Sequence, residues 1–525
     1  MAPLPFALDI LAQGAWNGGE RIGNAAYAGR GMVFKGGIPV TEETIEERIG
    51  VRTRVAAPED VRIGAIALEE LLAQPAVDPA RIRVLIAATN IGEDKFDPGP
   101  ASRALLERLA PRRPDLLAFD LYAGCPGFNV AVEALFQLAL AGELSPGDLA
   151  VVVGAENVHR ARAFKPLDTA NLIFGDDAVA TALAVGPGAG RSRPGRVVDE
   201  RTLTAADDFV ADIARALLPW AQEARLDGIL VDNRLGRIEC RVPATAARIQ
   251  HALLERIFPR EAAAGEFRNF RAAFELYETY GAGFAFDIMA ASAGPGVLRR
   301  LGCAYTASGR YRRVATVFLH PGEPVRLGLV EAEGPTPDAP ACGVVDTLTR
   351  THGCFAGFIE ARFDEEGVFG YLDGKGVFLY ATRGARPHLA ALLGPRGLGL
   401  EDIDLLIEHQ ANFAMLPLTL EQLFAGGPHP PAQAVARYLA ERMVVNIHER
   451  GNCSVVCMQR LPYDLERGAL RPDTIQGFAV NRNLEALRRA RSILYDSVGA
   501  GMTRSSLLRL RGPETGRGTK PVHPA

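Results

Sequence analysis

A chain of 525 residues with 48% hydrophobic and 23% charged residues has the composition of a globular protein and is too long for one ordinary domain. The formal net charge of −4, without a basic stripe interleaved with aromatic residues, gives no footprint for nucleic acid. No apolar run approaches the ~20 residues of a membrane span, and the first residues lack the pattern of a secretory signal. Seven scattered cysteines indicate reduced thiols, so we expect a cytoplasmic protein.

The first 190 residues alternate short apolar runs with helical patterns. In chain order, we predict helices at 42–50 and 61–72, a strand at 83–88, a helix at 100–109, a strand at 116–121, a helix from 128, a strand at 148–154, and two apolar runs in 171–184. This alternation predicts an α/β sheet that helices cover on both faces.

A cysteine stands at the sharpest of these transitions. Residues 116–130, LLAFDLYAGCPGFNV, form a predicted strand, a tight elbow of small residues, and the start of a helix. Cys125 at this elbow faces the positive end of the helix dipole, which favours thiolate over thiol. A buried structural cysteine is the alternative interpretation.

The middle of the chain resembles the beginning. The letters ALLER occur at 104–108 and again at 252–256, and FAFDIMAASAGPG at 284–296 matches LAFDLYAGCPG at 117–127. Predicted strands at 227–232 and 313–319 complete the pattern, so we interpret residues of about 210–330 as a degenerate repeat of about 80–155. Ser292 stands in the position of Cys125, but no base is apparent near it. Two unrelated α/β units of similar composition are the alternative.

The C-terminal part regains order after an irregular stretch predicted at 330–365. We predict strands at 377–382, 403–407, 443–447, 492–496 and 507–510, a helix at 388–393, and a mobile tail from 511. His409 and Asn452 follow two of these strands, as Cys125 follows another, and strand ends are where open α/β sheets place ligands. The turn at 499–501 is compact enough for the N–H of Ala500 to form an oxyanion hole with the N–H of Cys125.

Taken in order, these motifs resemble the thiolase superfamily and, within it, the β-ketoacyl-ACP synthase III branch. The matching residues are Arg48-Ile49-Gly50-Val51 with Arg54, Ala123-Gly124-Cys125-Pro126-Gly127, Phe174-Gly175-Asp176-Asp177-Ala178, Asp373-Gly374 with Val377-Phe378, His409-Gln410-Ala411-Asn412, Gly451-Asn452-Cys453-Ser454, and Gly499-Ala500-Gly501. They cover about 40–190 and 365–511.

The resemblance implies a thiolase fold: two related α-β-α halves with mixed five-stranded sheets, in α-β-α-β-α layers, plus the inserted repeat. It divides the chain into an N-terminal half at 1–190, an insertion at 191–365, a C-terminal half at 366–511 and a tail at 512–525. It also implies a homodimer whose sheets pair edge to edge. We interpret the insertion as a non-catalytic half-domain that packs on the core, covers the tunnel or extends a dimer surface.

The implied activity is acyl transfer through a Cys125-His409-Asn452 triad. Cys125 takes an acyl group from a thioester, and His409 with Asn452 stabilises the enolate of a malonyl or β-ketoacyl thioester that condenses with it. Arg48, Phe96, Gly499 and Gly501 are the implied substrate-binding residues. No metal or cofactor is expected beyond coenzyme A or phosphopantetheine thioesters as substrates.

Several alternatives stay open. Thr44 stands where acyl-CoA-using members often carry Trp, and the helix after residue 412 has no arginine for an acidic carrier protein, so coenzyme A and a carrier are both candidates. Transfer to an alcohol or amine, or condensation with ring closure, would use the same triad, with Glu156 as a candidate base. A non-catalytic scaffold that binds a related synthase is the reading from another class. The pair Cys453 and Cys457 lacks the partners of a zinc site.

Overall fold

The computed structural model describes residues 6–91, 101–109, 116–203, 208–235, 244–280, 283–291, 295–334, 340–425 and 431–512. We call residues 6–190 the N-terminal half, 195–334 the middle segment and 340–512 the C-terminal half. The N-terminal half contains β1 (Leu8–Ala15), β2 (Glu20–Gly23), β3 (Val33–Phe34), β4 (Ile38–Pro39), α1 (Glu42–Ile49), β5 (Thr53–Ala56), α2 (Ile63–Leu72), β6 (Ile82–Ala88), α3 (Ala101–Leu109), β7 (Leu117–Tyr122), α4 (Gly127–Leu140), β8 (Leu149–Glu156) and β9 (Asp177–Val185).

The middle segment is also a unit of alternating strands and helices. It contains β10 (Arg196–Leu203), α5 (Phe209–Glu223), β11 (Gly228–Asn233), α6 (Thr245–Ile257), α7 (Pro259–Ala263), α8 (Phe270–Tyr280), β12 (Phe284–Ala290), α9 (Gly296–Tyr305), β13 (Arg313–Leu319) and β14 (Val325–Glu331). The predicted strand at 313–319 has the observed bounds.

The C-terminal half completes the chain. It contains β15 (Gly343–Thr351), β16 (Ile359–Asp364), β17 (Gly367–Leu372), α10 (Gly374–Leu393), β18 (Leu405–Glu408), α11 (Met415–Phe424), α12 (Pro431–Arg442), α13 (Ile447–Arg450), α14 (Cys457–Glu466), β19 (Asp473–Ile475), β20 (Phe478–Val480), α15 (Leu484–Arg488), β21 (Ser492–Gly499) and β22 (Thr503–Leu510). The predicted tail falls almost wholly outside the described residues.

One ten-stranded sheet joins the N-terminal half to the middle segment. Its order is β1-β9-β8-β6-β7-β12-β11-β13-β14-β10, so the two five-stranded parts mirror each other about the seam between β7 and β12. In each part the two strands nearest the outer edge pair antiparallel, and the inner three pair parallel. The predicted repeat is confirmed, and the two copies are joined within a single sheet.

The seam itself is antiparallel and symmetric. Asp287 pairs with Tyr122, and Met289 pairs with Asp120, so equivalent residues exchange places across the seam. The two buried aspartates have the same local role. Asp120 accepts hydrogen bonds from the first backbone N–H groups of α3, and Asp287 accepts them from the start of α6. A carboxylate at this position satisfies N–H groups that a helix leaves unpaired.

The C-terminal sheet has the order β15-β22-β21-β18, with two antiparallel pairs and one parallel pair. This repeats the pattern of β1-β9-β8-β6. The prediction of an irregular stretch at 330–365 is therefore wrong, because the polar residues of β15 are paired inside the protein. Thr349 contacts Ser505 at 2.8 Å and Thr351 contacts Thr503 at 2.9 Å between side-chain oxygens. β15 lies before the implied domain boundary at 365, although it belongs to this sheet.

Two further strand predictions differ from the structure. Residues 377–382 lie within helix α10, which Asp373 caps by accepting a hydrogen bond from the Gly376 N–H at 3.1 Å. A short apolar run does not by itself distinguish a buried strand from a buried helix. Residues 443–447 make a single bridge, between Met443 and Leu406, at the place of a fifth strand. The C-terminal sheet is therefore four-stranded in the described part of the chain.

Helix α4 lies between the two sheets and is buried along its whole length. Its apolar residues pack with those of β6, β7, β21 and α14 in one core, and Asn129 donates to the Ser505 carbonyl of β22 at 2.7 Å. This gives the layered α/β arrangement that was predicted. Within the described ranges, no helix is both long enough and apolar enough to cross a membrane.

Candidate active site

Cys125 lies at the elbow between β7 and α4, with 9% of its surface exposed. Gly124, immediately before it, has φ of +71°, a conformation that favours glycine. Helix α4 starts at Gly127, where an added Cβ would lie 2.7 Å from the Val455 side chain. The small residues of the elbow therefore allow both the turn of the chain and the close approach of the C-terminal half.

The backbone of the elbow touches the backbone of the turn at 499–501. A Cβ on Gly499 would lie 2.3 Å from the Cys125 nitrogen, and a Cβ on Gly124 would lie 2.4 Å from the Ala500 nitrogen. Glycine is required at both positions because any side chain would separate the two segments. The structure thus brings the backbone segments that carry the amides of Cys125 and Ala500 into contact, and the oxyanion hole stays a prediction for these two amides.

A chain of hydrogen bonds links Cys125 to the other two predicted catalytic residues. The Ser454 hydroxyl donates to Cys125 Sγ at 3.4 Å, and the Ser454 backbone N–H donates to Asn452 Oδ1 at 2.8 Å. The same Oδ1 lies 3.1 Å from His409 Nε2. Because this oxygen only accepts, the hydrogen of the His409 ring is on Nε2. Cys125, His409 and Asn452, which are far apart in the chain, therefore form one connected site.

Burial raises the pKa of the Cys125 thiol to about 11. Its hydrogen bonds with Ser454 and with its own backbone act in the opposite direction but do not compensate for the loss of water. The prediction that the helix dipole makes this residue a thiolate is therefore wrong for the empty site. A proton must leave Cys125 when the substrate binds.

His409 is neutral in this environment. Burial lowers its pKa, while Cys457, Asn452, the backbone of Val498 and Asp496 act in the opposite direction. Among the described residues, His409 Nδ1 has no hydrogen-bond partner. The ring can therefore donate a hydrogen bond from Nε2.

An apolar cavity of about 90 Å³ opens beside Cys125. The antiparallel hairpin of β16 and β17 forms one wall. Phe164 and Phe174, which stack with ring centroids 5.4 Å apart, belong to the lining. The other lining residues are Asn90, Ile91, Cys125, Glu156, Val158, Ala163, Ile359, Glu360, Ala361, Val368, Phe369, Gly370, Leu372, Ser454 and Ala500. This surface suits a hydrocarbon chain attached to the sulfur.

Two polar lining residues were not predicted as part of the catalytic set. Asn90 Nδ2 donates to Ser454 Oγ at 3.1 Å, which continues the hydrogen-bond chain away from Cys125. Ser454 belongs to the Gly-Asn-Cys-Ser motif, and Asn90 follows β6 as Cys125 follows β7. Asn90 could have been found as a polar residue just beyond a parallel strand, since the ends of these strands share one edge of the sheet.

Glu156 is fully buried at the end of β8, where the sequence left its role open. Its Oε1 accepts a hydrogen bond of 2.5 Å from the Asn90 backbone N–H, and its Oε2 has no partner among the described residues. Burial and the nearby Cys125 raise its pKa well above the ordinary value. Glu156 is therefore buried near the sulfur and is not a solvated carboxylate, and its raised pKa favours the protonated form.

The implied substrate-binding residues lie in different places. Arg48 is exposed at the end of α1, with its guanidinium 5.5 Å from the centre of the Phe34 ring, and does not line the cavity. Gly501 has φ of +79° and shapes the turn that carries Ala500. Phe96 and Ser292 lie outside the described residues. Arg54 of the same motif is buried and donates to the Leu172 carbonyl, which gives it a structural role.

The fold has clear counterparts among solved structures, although no protein-family model matches the sequence. A 3-oxoacyl-[acyl-carrier-protein] synthase III from Aquifex aeolicus VF5 aligns with a TM-score of 0.52 at 15% identity, over 96% of this chain and 100% of that one. The synthase III from Thermus thermophilus gives 0.50 at 18% identity, over 96% and 99%. The priming β-ketosynthase of the R1128 polyketide pathway gives 0.50 at 16% identity, over 97% and 98%. The chain therefore has the thiolase-type fold of the synthase III structures, and the resemblance predicted from its ordered motifs is confirmed at the level of the fold.

Proposed function

We propose that this chain is a condensing acyltransferase that carries an acyl group on Cys125. The observation that supports this most strongly is the continuous hydrogen-bond chain from Cys125 through Ser454 and Asn452 to His409. Two adjacent backbone amides and an apolar cavity stand beside the same sulfur. A scaffold protein would have no need to keep all of these groups together.

The first step is thioester exchange. The Cys125 sulfur attacks the carbonyl carbon of an acyl thioester, and the amides of Cys125 and Ala500 stabilise the oxyanion that forms. The bond from the carbonyl carbon to the donor sulfur then breaks. The donor leaves as a free thiol that takes up the proton lost by Cys125, and the acyl group stays on Cys125 as a thioester.

The second step forms a carbon–carbon bond. A malonyl thioester loses CO₂, and the resulting enolate oxygen accepts hydrogen bonds from His409 Nε2–H and the Asn452 amide. The enolate carbon attacks the acyl carbon, the bond to Cys125 breaks, and a β-ketoacyl thioester is released. Each oxyanion donor contributes on the order of 3 kcal/mol to lowering the barrier, by analogy with single-donor deletions.

The donors are thioesters of coenzyme A or of the phosphopantetheine arm of an acyl carrier protein. The names of the similar synthase III structures, which refer to an acyl carrier protein, support this assignment. The apolar lining favours an unsubstituted hydrocarbon acyl group. No further cofactor is part of this proposal, and a cytoplasmic location, where such thioesters are made, fits it.

Acylation is tested by intact-mass measurement after incubation with acyl-CoA of two to eight carbons. We expect the mass to increase by one acyl group in the wild type and in Cys303→Ala, and to stay unchanged in Cys125→Ala. An equal increase in Cys125→Ala would contradict the proposed nucleophile.

Condensation is tested by adding carboxyl-labelled malonyl thioester to the acylated enzyme. We expect labelled CO₂ release to accompany loss of the acyl group from Cys125. Loss of the acyl group to an alcohol or amine without CO₂ would instead show simple acyl transfer.

A further inference from the structure

Strand β7 has no free edge. It pairs with β6 on one side and with β12 of the middle segment on the other. The β7–β12 register is symmetric, as in the contact between two identical subunits, where residue i meets j and j meets i. Within the described residues, the ten-stranded sheet ends at β1 and β10. The inner edge of the N-terminal sheet is therefore already occupied by the chain's own second copy.

The middle segment also reaches the C-terminal half beside the active site. A Cβ on Gly353 would lie 1.9 Å from the Ala247 carbonyl oxygen of α6, so the two backbones are in close contact. Gln250 of α6 accepts a hydrogen bond from the Gly353 N–H at 3.2 Å. Tyr277 of α8 accepts one from the Cys354 N–H at 2.9 Å. Two helices of the middle segment thus hold residues 353–354 in place.

Residues next to this contact hold the turn at 499–501, which carries Ala500. The Met502 carbonyl accepts hydrogen bonds from the His352 N–H at 3.0 Å and from the Tyr380 hydroxyl at 2.5 Å. His352 Nδ1 lies 2.8 Å from the same hydroxyl. Met502 has φ of +50°, a conformation that a methionine keeps only when its surroundings impose it. Displacement of His352 would therefore release the turn that carries Ala500.

We propose that residues 195–334 are a built-in, non-catalytic partner subunit. They occupy the β7 edge that a second copy of the chain would need, and through α6 and α8 they hold the turn that positions Ala500. The working unit is then one chain with one active site, in place of the homodimer implied by resemblance. The expected effect on acylation rests on the proposed function. The claims that the middle segment occupies the β7 edge and holds the turn at 499–501 do not.

The first experiment is the mass of the full-length protein in solution, by light scattering coupled to size exclusion. We expect the monomer mass of 56.2 kDa. A stable species of twice that mass would overturn the claim that the chain supplies its own partner.

The second experiment compares Tyr277→Phe with Tyr280→Phe, two substitutions on the same helix. Each removes a hydroxyl that accepts one backbone N–H, but Tyr280 accepts from Leu226, within the middle segment. Hydrogen exchange of the peptide spanning 499–503 should become at least about tenfold faster in Tyr277→Phe and stay unchanged in Tyr280→Phe. Gln250→Leu provides a second variant with the effect expected of Tyr277→Phe. Equal exchange in all proteins would overturn the positioning role.

Acylation kinetics add a readout that a purely structural role would not change. In Tyr277→Phe, we expect the maximal rate of Cys125 acylation to fall about tenfold with little change in KM, because a displaced donor affects the transition state. If the wild type takes up no acyl group at all, the proposed function is wrong. The hydrogen-exchange comparison and the solution mass would then still test whether residues 195–334 act as a built-in partner. An unchanged maximal rate beside a normal wild-type rate would overturn the positioning role.

Discussion

In the N-terminal half, β7 leads through the elbow at Cys125 into α4, and in the middle segment α9 is the next helix after β12. The strand orders match, and Asp120 and Asp287 cap equivalent helices. The helices that follow the two strands, α4 and α9, differ in burial. Every residue of α4 is buried, whereas α9 exposes Arg299 and Arg300.

The difference comes from the way the C-terminal half packs on the two copies, because it covers α4 but contacts the middle segment through α6 and α8. Its β22 accepts a hydrogen bond from Asn129 of α4, and its turn at 499–501 touches the elbow at Cys125. Nothing in the described part of the chain covers the arginine-bearing face of α9 in this way. The comparison teaches that the two copies share a sheet, while the turn of the second sheet at 499–501 packs against the elbow that carries the proposed nucleophile, Cys125.

The largest expected effect separates the two copies by their thiols. Cys125→Ala should lower the rate of acyl transfer by more than about 10⁴-fold, because the nucleophile itself is lost. Cys303→Ala, on α9 of the other copy, should change the rate less than about twofold. Steady-state release of the donor thiol measures both. A large loss in Cys303→Ala would break the distinction between catalytic and structural copies.

The next effect tests the contact that only the N-terminal elbow makes. In Gly499→Ala, the new Cβ would lie 2.3 Å from the Cys125 nitrogen, so the two amides must separate. We expect the acylation rate to fall by about 10²–10³-fold, as when one oxyanion donor is lost. Gly296→Ala, at the start of α9, has no atom within 4 Å of the added Cβ and should be near wild type. Pre-steady-state acylation measures both variants.

Much of the fold could be predicted because its signals are local. The run at 116–121 has the length and apolarity of a buried parallel strand, and the second copy was identified from the shared letters AFD at 118–120 and 285–287 together with the repeated ALLER. Two predictions failed because the apolar or polar pattern within the segment did not by itself determine its structure. Residues 377–382 look like a strand until Asp373 is seen to cap a helix there, and the polar letters of β15 look irregular until β22 pairs with them.

The site divides in the same way. Cys125, His409 and Asn452 could be named because each belongs to an ordered set of motifs, and Cys125 and His409 also follow a strand, whereas Asn452 follows α13. The raised pKa of Cys125 could not be predicted from the sequence, because it depends on burial by a distant part of the chain. The pairing of β12 of the middle segment with β7 across a symmetric seam could not be predicted either. Sequence similarity shows that a copy exists but not which edges pair.

A third prediction concerns the pH dependence of the thiol. Because the pKa of Cys125 is about 11, the fraction of thiolate rises tenfold for each pH unit as long as the pH is below 11. Alkylation of Cys125 by iodoacetamide in the empty site should therefore be about 100-fold faster at pH 9 than at pH 7. Peptide mapping by mass spectrometry follows this residue separately from Cys303. A rate independent of pH over this range would show that the helix dipole, not burial, dominates at the elbow.

The smallest expected effect tests whether the two copies are held together alike. Asp120→Asn and Asp287→Asn each weaken the cap of one helix and should lower the free energy of unfolding by about 1–2 kcal/mol. Burial raises the pKa of both carboxyls, that of Asp287 from 3.8 to about 6.

The sign of the pH effect follows from these shifts. A folded-state pKa above the unfolded value stabilises the protein below pH 4, and this stabilisation is lost as the pH rises through about 6. Asparagine does not titrate, so the destabilisation by Asp287→Asn should shrink between pH 4.5 and 6.5, measured by urea unfolding. Asp120→Asn should change in the same direction. Opposite trends in the two variants would show that the copies share a strand order without sharing the electrostatics of their caps.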